Sequence, residues 1–236
     1  MDQRELKEYL ERLATELQNG DRKLLEARLA GLTSVFPFND YEYMLMFLKN
    51  KEIIGFEEYE KLRENYVKTN KYLELYGIAP RIFGQIWGEE HIRDIDSRFQ
   101  RADKSLDPKF VGQYDIWFND IRMEIKACRA IHSKKRGDIV SRALRYDSKE
   151  PFWMNFQQLK PDSCDAFVFI GVWVNQIVYW VMSSKEVKEN EYLSHQHRGG
   201  IEFQIGITDK NITKFDIYKT SSSKIADIII QKIRKQ

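Results

Sequence analysis

The residues best suited to chemistry lie in one segment, from Gln113 to Ala127, which reads QYDIWFNDIRMEIKA. Asn119 and Asp120 both tolerate positive φ, so the pair suits a two-residue hairpin turn. With that turn Phe118 pairs with Ile121, Asp115 faces Glu124, and Gln113 faces Lys126. Strand alternation then puts Tyr114, Ile116, Phe118, Ile121, Met123 and Ile125 on one apolar face. The opposite face carries Gln113, Asp115, Trp117, Arg122, Glu124 and Lys126. Two carboxylates directly opposite each other repel on a sheet. Such a pair is tolerated in solvent, or becomes useful when a cation sits between its members. Two carboxylates with a backbone carbonyl and waters suit Mg²⁺, a hard ion that keeps much of its hydration. The lysine adds a positive charge able to orient, or help deprotonate, a nucleophilic water. Metal, water and cation together can hydrolyse a phosphodiester.

Asp115, eight intervening residues, and then Glu124-Ile125-Lys126 resemble the PD-(D/E)XK motif of restriction-endonuclease-like nucleases. Tyr114 stands where the family name has its proline. The resemblance covers about residues 80–179 and implies a restriction-endonuclease-like α/β (α+β) core, a mixed central sheet flanked by helices. It implies Asp115, Glu124 and the Ile125 carbonyl as metal ligands, with Lys126 as the catalytic cation. Mg²⁺ is the implied cofactor, with Mn²⁺ as a substitute. The implied activity is that of a type II restriction enzyme, a homodimer that cuts both strands of double-stranded DNA. A repair or structure-specific nuclease on the same fold, or a non-catalytic DNA-binding module, are the competing readings. An intact Asp115, Glu124 and Lys126 set speaks against the last.

Other residues belong with this set. On a helix expected from Pro80 to about Ile95, a 100° wheel gathers Ile82, Phe83, Ile86 and Trp87 on one side. Glu90 falls among them and Glu89 at the edge, so Glu90 is the expected acid from the preceding helix that such nucleases bring towards the metal. The competing reading is a snorkelling carboxylate. Lys126 to Arg145 holds Lys126, Arg129, Lys134, Lys135, Arg136, Arg142 and Arg145 against Asp138 alone, a local charge of +6. A patch of that density fits a phosphate backbone, although a short basic run by itself is usually a solvated surface. Gln157 and Gln158 are expected near the phosphate or an adjacent water. His195, Gln196, His197 and Arg198 form a donor-rich loop ending in Gly199 and Gly200, suited to a phosphate or a guanine edge. This loop is similar to a stretch that some type II restriction enzymes carry, and a polar surface loop is its plainer reading.

The elements that must position these groups follow from pattern. Residues 1–76 read as a helical lobe, a possible dimerisation or DNA-clamp region, with Leu6, Leu10, Leu13 and Leu17 at helical spacing and a stop at Asn19-Gly20-Asp21. Helices are expected at Asp40–Lys51 and Phe56–Leu75. Acids at the start of the latter oppose a groove-entering role. Residues 77–236 read as the nuclease core with C-terminal DNA-recognition elements. Strands are expected at Val111–Phe118, Ile121–Cys128, Ala166–Val174, Ile177–Met182, Glu202–Thr208 and Ile212–Ile217. Helical stretches are expected near Phe152–Leu159, Ser184–Glu189 and Ser222–Lys235.

Composition sets outer bounds. The chain has 236 residues, 42% hydrophobic and 31% charged, which supports a sizeable core and excludes wholesale disorder. Two cysteines, Cys128 and Cys164, are too few for a disulfide framework or a four-cysteine zinc site. No apolar run approaches the ~18 residues of a membrane span, and the charged start leads into no signal-like stretch, so a cytoplasmic protein is expected.

Overall fold

A computed structural model describes residues 3–30, 40–195 and 202–234. The chain divides into two compact units that interleave in sequence. Met1–Gly77, Lys134–Ser148 and Trp173–Asn175 form the first, and Ile78–Ser133, Lys149–Val172 and Gln176–Gln236 the second. No described helix is long and apolar enough to cross a membrane.

The first unit is helical: α1 (Gln3–Ala14), α2 (Asn19–Ala30), α3 (Asp40–Asn50) and α4 (Phe56–Thr69). Asn19-Gly20-Asp21 opens α2 rather than merely ending α1, since an acid in the first turn favours a helix start. Leu10, Leu45, Leu48, Leu62 and Tyr66 recur at helical spacing and are buried. Arg63 donates to Glu42 at 2.6 Å between α4 and α3. The returning segment docks through Arg145, whose guanidinium donates to the Thr69 carbonyl, and through Tyr146, edge-on to Trp173 at 4.9 Å.

The second unit holds the strands. A mixed six-stranded sheet runs β1 (Gln100–Arg101), β2 (Ile116–Phe118), β3 (Ile121–Arg129), β6 (Ala166–Val172), β7 (Ile177–Ser183), β10 (Lys219–Thr220). A four-stranded sheet runs β4 (Ile131–His132), β5 (Phe152–Leu159), β9 (Phe203–Thr208), β8 (Leu193–His195). The expected turn is present, with Asn119 at φ 49° and Asp120 at φ 63°. It sets the expected register: Phe118↔Ile121, Trp117↔Arg122 and Ile116↔Met123. β3 runs parallel to β6 from Met123↔Ala166 to Arg129↔Val172, and β6 is buried throughout, as a continuous apolar run requires. Phe156 of β5 meets Phe169 of β6 edge-on at 5.1 Å, joining the two sheets.

Three expected elements differ. Phe152–Leu159 is a strand, not a helix: Phe152, Met154 and Phe156 are buried in alternation, and pairing with β9 fixes them there. Ile212–Tyr218 is a 3₁₀ turn, not a strand. The Asn211 side chain accepts from the Thr208 N–H at 2.7 Å and donates to the Gly206 carbonyl at 2.9 Å, which turns the chain out of β9. Of the expected Val111–Phe118 strand only the last three residues pair. Gln113 bonds instead to Val111 and Lys109 within its own loop, so it does not face Lys126.

Candidate active site

The regular ladder of the hairpin ends at Ile116↔Met123, and Asp115 sits at the departure point. Its N–H donates to the Met123 carbonyl at 3.0 Å, and its carbonyl accepts from the Ala102 N–H at 3.0 Å. Its side chain then turns back: Oδ2 accepts from the Ile125 N–H at 2.8 Å. An aspartate is short enough to serve β3 as a substitute backbone acceptor while keeping its second oxygen for another partner. Glu124 lies on β3 and is only 7% exposed. Lys126, two residues on and therefore on the same face, reaches Glu124 Oε1 at 2.5 Å.

Burial pushes the Glu124 carboxyl up to about 7, against the pull of Lys126 and with the repulsion of Asp115. Burial also raises Asp115, opposed by Lys126 and by the Ile125 N–H. For Lys126 burial favours the neutral amine, but Glu124 and Asp115 together outweigh it and hold the ammonium above its usual range. One cation thus faces two crowded carboxylates. Lys160 stands near enough to Glu124 to lower its carboxyl, and is itself paired with Glu202 at 3.2 Å.

Of the two helix acids, the structure turns Glu89 rather than the expected Glu90 towards Asp115 and Glu124. The stretch from Pro80 to Ile95 is α5 (Pro80–Ile82), a π turn at Phe83–Trp87, and α6 (Gly88–Ile95). A π turn holds an extra residue, so every position after it lags the 100° wheel. The buried line becomes Phe83, Gly88 and Ile92, while Ile82 and Ile86 are each 50% exposed. Glu90 is thereby exposed, and Glu89 moves inward. Burial, then Asp115 and, last, Glu124 push the Glu89 carboxyl up to about 7, while Arg101 and Arg93 pull it down. Gly88 makes the close approach possible: a Cβ there would stand 3.0 Å from the Ala127 Cβ on β3.

The remaining expected residues disperse. Arg129, expected on the basic patch, is instead buried: it is 6% exposed, donates to the Ile78 carbonyl at 2.7 Å, and its guanidinium lies 4.4 Å from the Phe83 ring centre. Its position on β3 turns it into the fold. Arg145 is likewise engaged, by Asp147 and the Thr69 carbonyl. Lys134, Lys135 and Arg136 are exposed, Arg142 is half-buried, and all four belong to the helical unit rather than to the unit that holds the carboxylates. Gln157 and Gln158 are exposed at a β-bulge in β5, with Gln158 at φ 58°, and not on a helix. His195 ends β8, exposed and tilted against Phe203 at 4.5 Å. Gln196, His197 and Arg198 lie outside the described residues.

Among the described residues no group of three or more His, Cys, Asp or Glu side chains is gathered closely enough to hold a metal. Asp115 and Glu124 nevertheless fit a hard divalent cation. They are oxygen donors, both destabilised as anions by burial, and one lysine does not neutralise the two. Mg²⁺ needs only one or two protein carboxylates beside waters and substrate oxygens. No protein-family model and no curated protein matches this sequence.

Proposed function

We propose that the protein is a divalent-metal-dependent endonuclease that hydrolyses phosphodiester bonds in double-stranded DNA, built on a restriction-endonuclease-like core and acting as a homodimer. One observation carries the reading. Asp115 at the break of the hairpin, anchored on the Ile125 N–H, shares a buried site with Glu124 and Lys126, which are joined at 2.5 Å. The antiparallel β2–β3 hairpin continuing into a parallel β6 supports the same core. The chain departs from the resemblance between β3 and β6, where β5 replaces the expected helix.

Asp115, Glu124 and the Ile125 carbonyl would hold Mg²⁺, or Mn²⁺ in its place, whose chemistry at such a site is to polarise a phosphate and acidify water. Lys126 stays protonated at neutral pH because Glu124 and Asp115 hold it so. Its ammonium therefore acts as a donor, orienting water and offsetting charge on the phosphate, rather than as a base. Glu89, with its carboxyl near 7, can accept a proton from water at neutral pH. Supercoiled plasmid incubated with the protein should be nicked or linearised in Mg²⁺ and left intact in EDTA. Persistent intact plasmid over a broad set of DNA sequences and methylation states would remove the reading.

A further inference from the structure

An open cavity of about 520 Å³ lies in the second unit, between the end of α6 and the loop that follows β1. Its polar lining is Arg93, Ser97, Gln100, Arg101, Asp103 and Ser105. Arg93 is half-buried, and its Nε is buried without a hydrogen-bond partner. That Nε–H is a buried donor with no acceptor in the protein, an uncommon arrangement, while the half-buried side chain lines the cavity. Arg101 is exposed on β1, one residue from Ala102, whose N–H binds the Asp115 carbonyl. Both arginines stand close enough to Glu89 to pull its carboxyl down.

Asp103 offsets only one of the two arginines, so the lining keeps a net charge of +1. Its Oδ1 accepts from the Ser105 N–H at 2.7 Å, the Ser105 Oγ at 2.5 Å and the Leu106 N–H at 3.1 Å, so that carboxylate is committed to its own loop. The neighbouring Arg98 is taken by Asp96 through paired contacts of 2.6 and 3.1 Å. What remains is a concave, polar site with two guanidiniums, the Ser97 hydroxyl and the Gln100 amide, whose arginines are within electrostatic reach of Glu89. Planar guanidiniums bind phosphate oxygens in a forked geometry that lysine cannot match.

We propose that this cavity is a phosphate subsite, in which Arg93 and Arg101 hold a phosphate of the nucleic-acid strand next to the one positioned at Asp115 and Glu124. The proposal rests on the nuclease reading for its ligand, but the subsite can be probed without cleavage. The bound group is either an internal phosphodiester or a terminal phosphate, and the two are separable.

¹⁵N-labelled protein is titrated with inorganic phosphate while the Arg93 Nε–H resonance is followed. A saturable shift is expected in the native protein and in Asp115→Asn, and its loss in Arg101→Gln, a substitution at an exposed position. In parallel, equilibrium binding in Ca²⁺ is measured against salt for closed-circular DNA and for linear duplexes with 5′-hydroxyl or 5′-phosphate ends. An internal phosphate predicts that Arg101→Gln flattens the salt slope by about 0.9 on all three substrates. A terminal phosphate predicts weakening on the 5′-phosphorylated duplex alone. An Arg93 resonance that ignores phosphate, or one that still responds in Arg101→Gln, overturns the subsite. Phosphate binding through both arginines in a protein that neither binds nor cuts DNA keeps the subsite and removes the nuclease reading instead.

Discussion

Replacing Glu124 by Gln should make the metal-free protein more stable at alkaline pH. Glu124 is 7% exposed and faces Asp115, and its carboxyl is raised from 4.5 to about 7. A carboxyl whose folded pKa exceeds its unfolded one holds its proton more tightly in the folded state. Its contribution to stability is therefore complete below about 4.5 and is lost as pH rises through about 7. At about 1.4 kcal/mol per pKa unit, that loss is about 3 kcal/mol. Glutamine keeps the shape and never ionises, so Glu124→Gln escapes the loss. The Lys126 ion pair that the variant gives up opposes this gain and is already contained in the net upward shift of Glu124. Glu124 comes last among the groups that act on Glu89, so Glu89 changes little between the two proteins. Denaturant unfolding at about pH 4 and about pH 8 in EDTA should show near-equal stabilities at the lower pH and an advantage of about 3 kcal/mol for the variant at the higher. Adding Mg²⁺ at pH 8 should raise the native protein and not the variant, because only the native site gains a ligand that binds the folded state. Parallel stability curves for the two proteins across this range would refute the argument from burial and like-charge crowding.

Lys126→Ala should slow single-turnover cleavage in Mg²⁺ by on the order of 10²–10⁴ while DNA affinity in Ca²⁺ changes little; equal losses in both would make the lysine a phosphate anchor. Glu89→Gln should lower the cleavage rate at neutral pH by on the order of 10²-fold, about the lower bound for losing a proton acceptor. Glu90→Gln, at an exposed position, should leave it within about twofold, and the reverse order in the same assay would remove the π-turn argument. Replacing Lys134, Lys135 and Arg136 together should flatten the salt dependence of DNA binding by up to ~0.9 for each phosphate that is no longer neutralised. An unchanged slope would make this run a solvated surface of the helical unit.

What the sequence displayed, and what it hid, divides along the range of the interactions involved. The turn at Asn119-Asp120 needs two residues in positive φ, and only the residue types at those two positions decide it. The carboxylates and Lys126 follow from that turn by strand alternation alone, so the centre of the candidate site could be read before any tertiary contact was known. The β6 run is legible for a similar reason, since seven apolar residues in a row, short for a helix and rich in β-branched and aromatic side chains, fit a buried strand. The strand character of Phe152–Leu159 depends on β9, whose pairing partner lies about fifty residues on, and Gln-Gln in the same stretch favours a helix until that partner is present. The basic run offers no local sign that the chain carries it into the helical unit.

The exchange of Glu89 for Glu90 is the most instructive of these cases. A wheel drawn at 100° assumes that no turn gains a residue, and its error after the π turn at Phe83–Trp87 is large enough to select the wrong member of an adjacent pair. One residue held the correction. Gly88 is the only small residue between Trp87 and Ile92, and a helix that presses against a strand puts its smallest side chain at the contact. Taking residue 88 as the contact fixes Phe83 and Ile92 on the same line, and the acid immediately beside that line is Glu89.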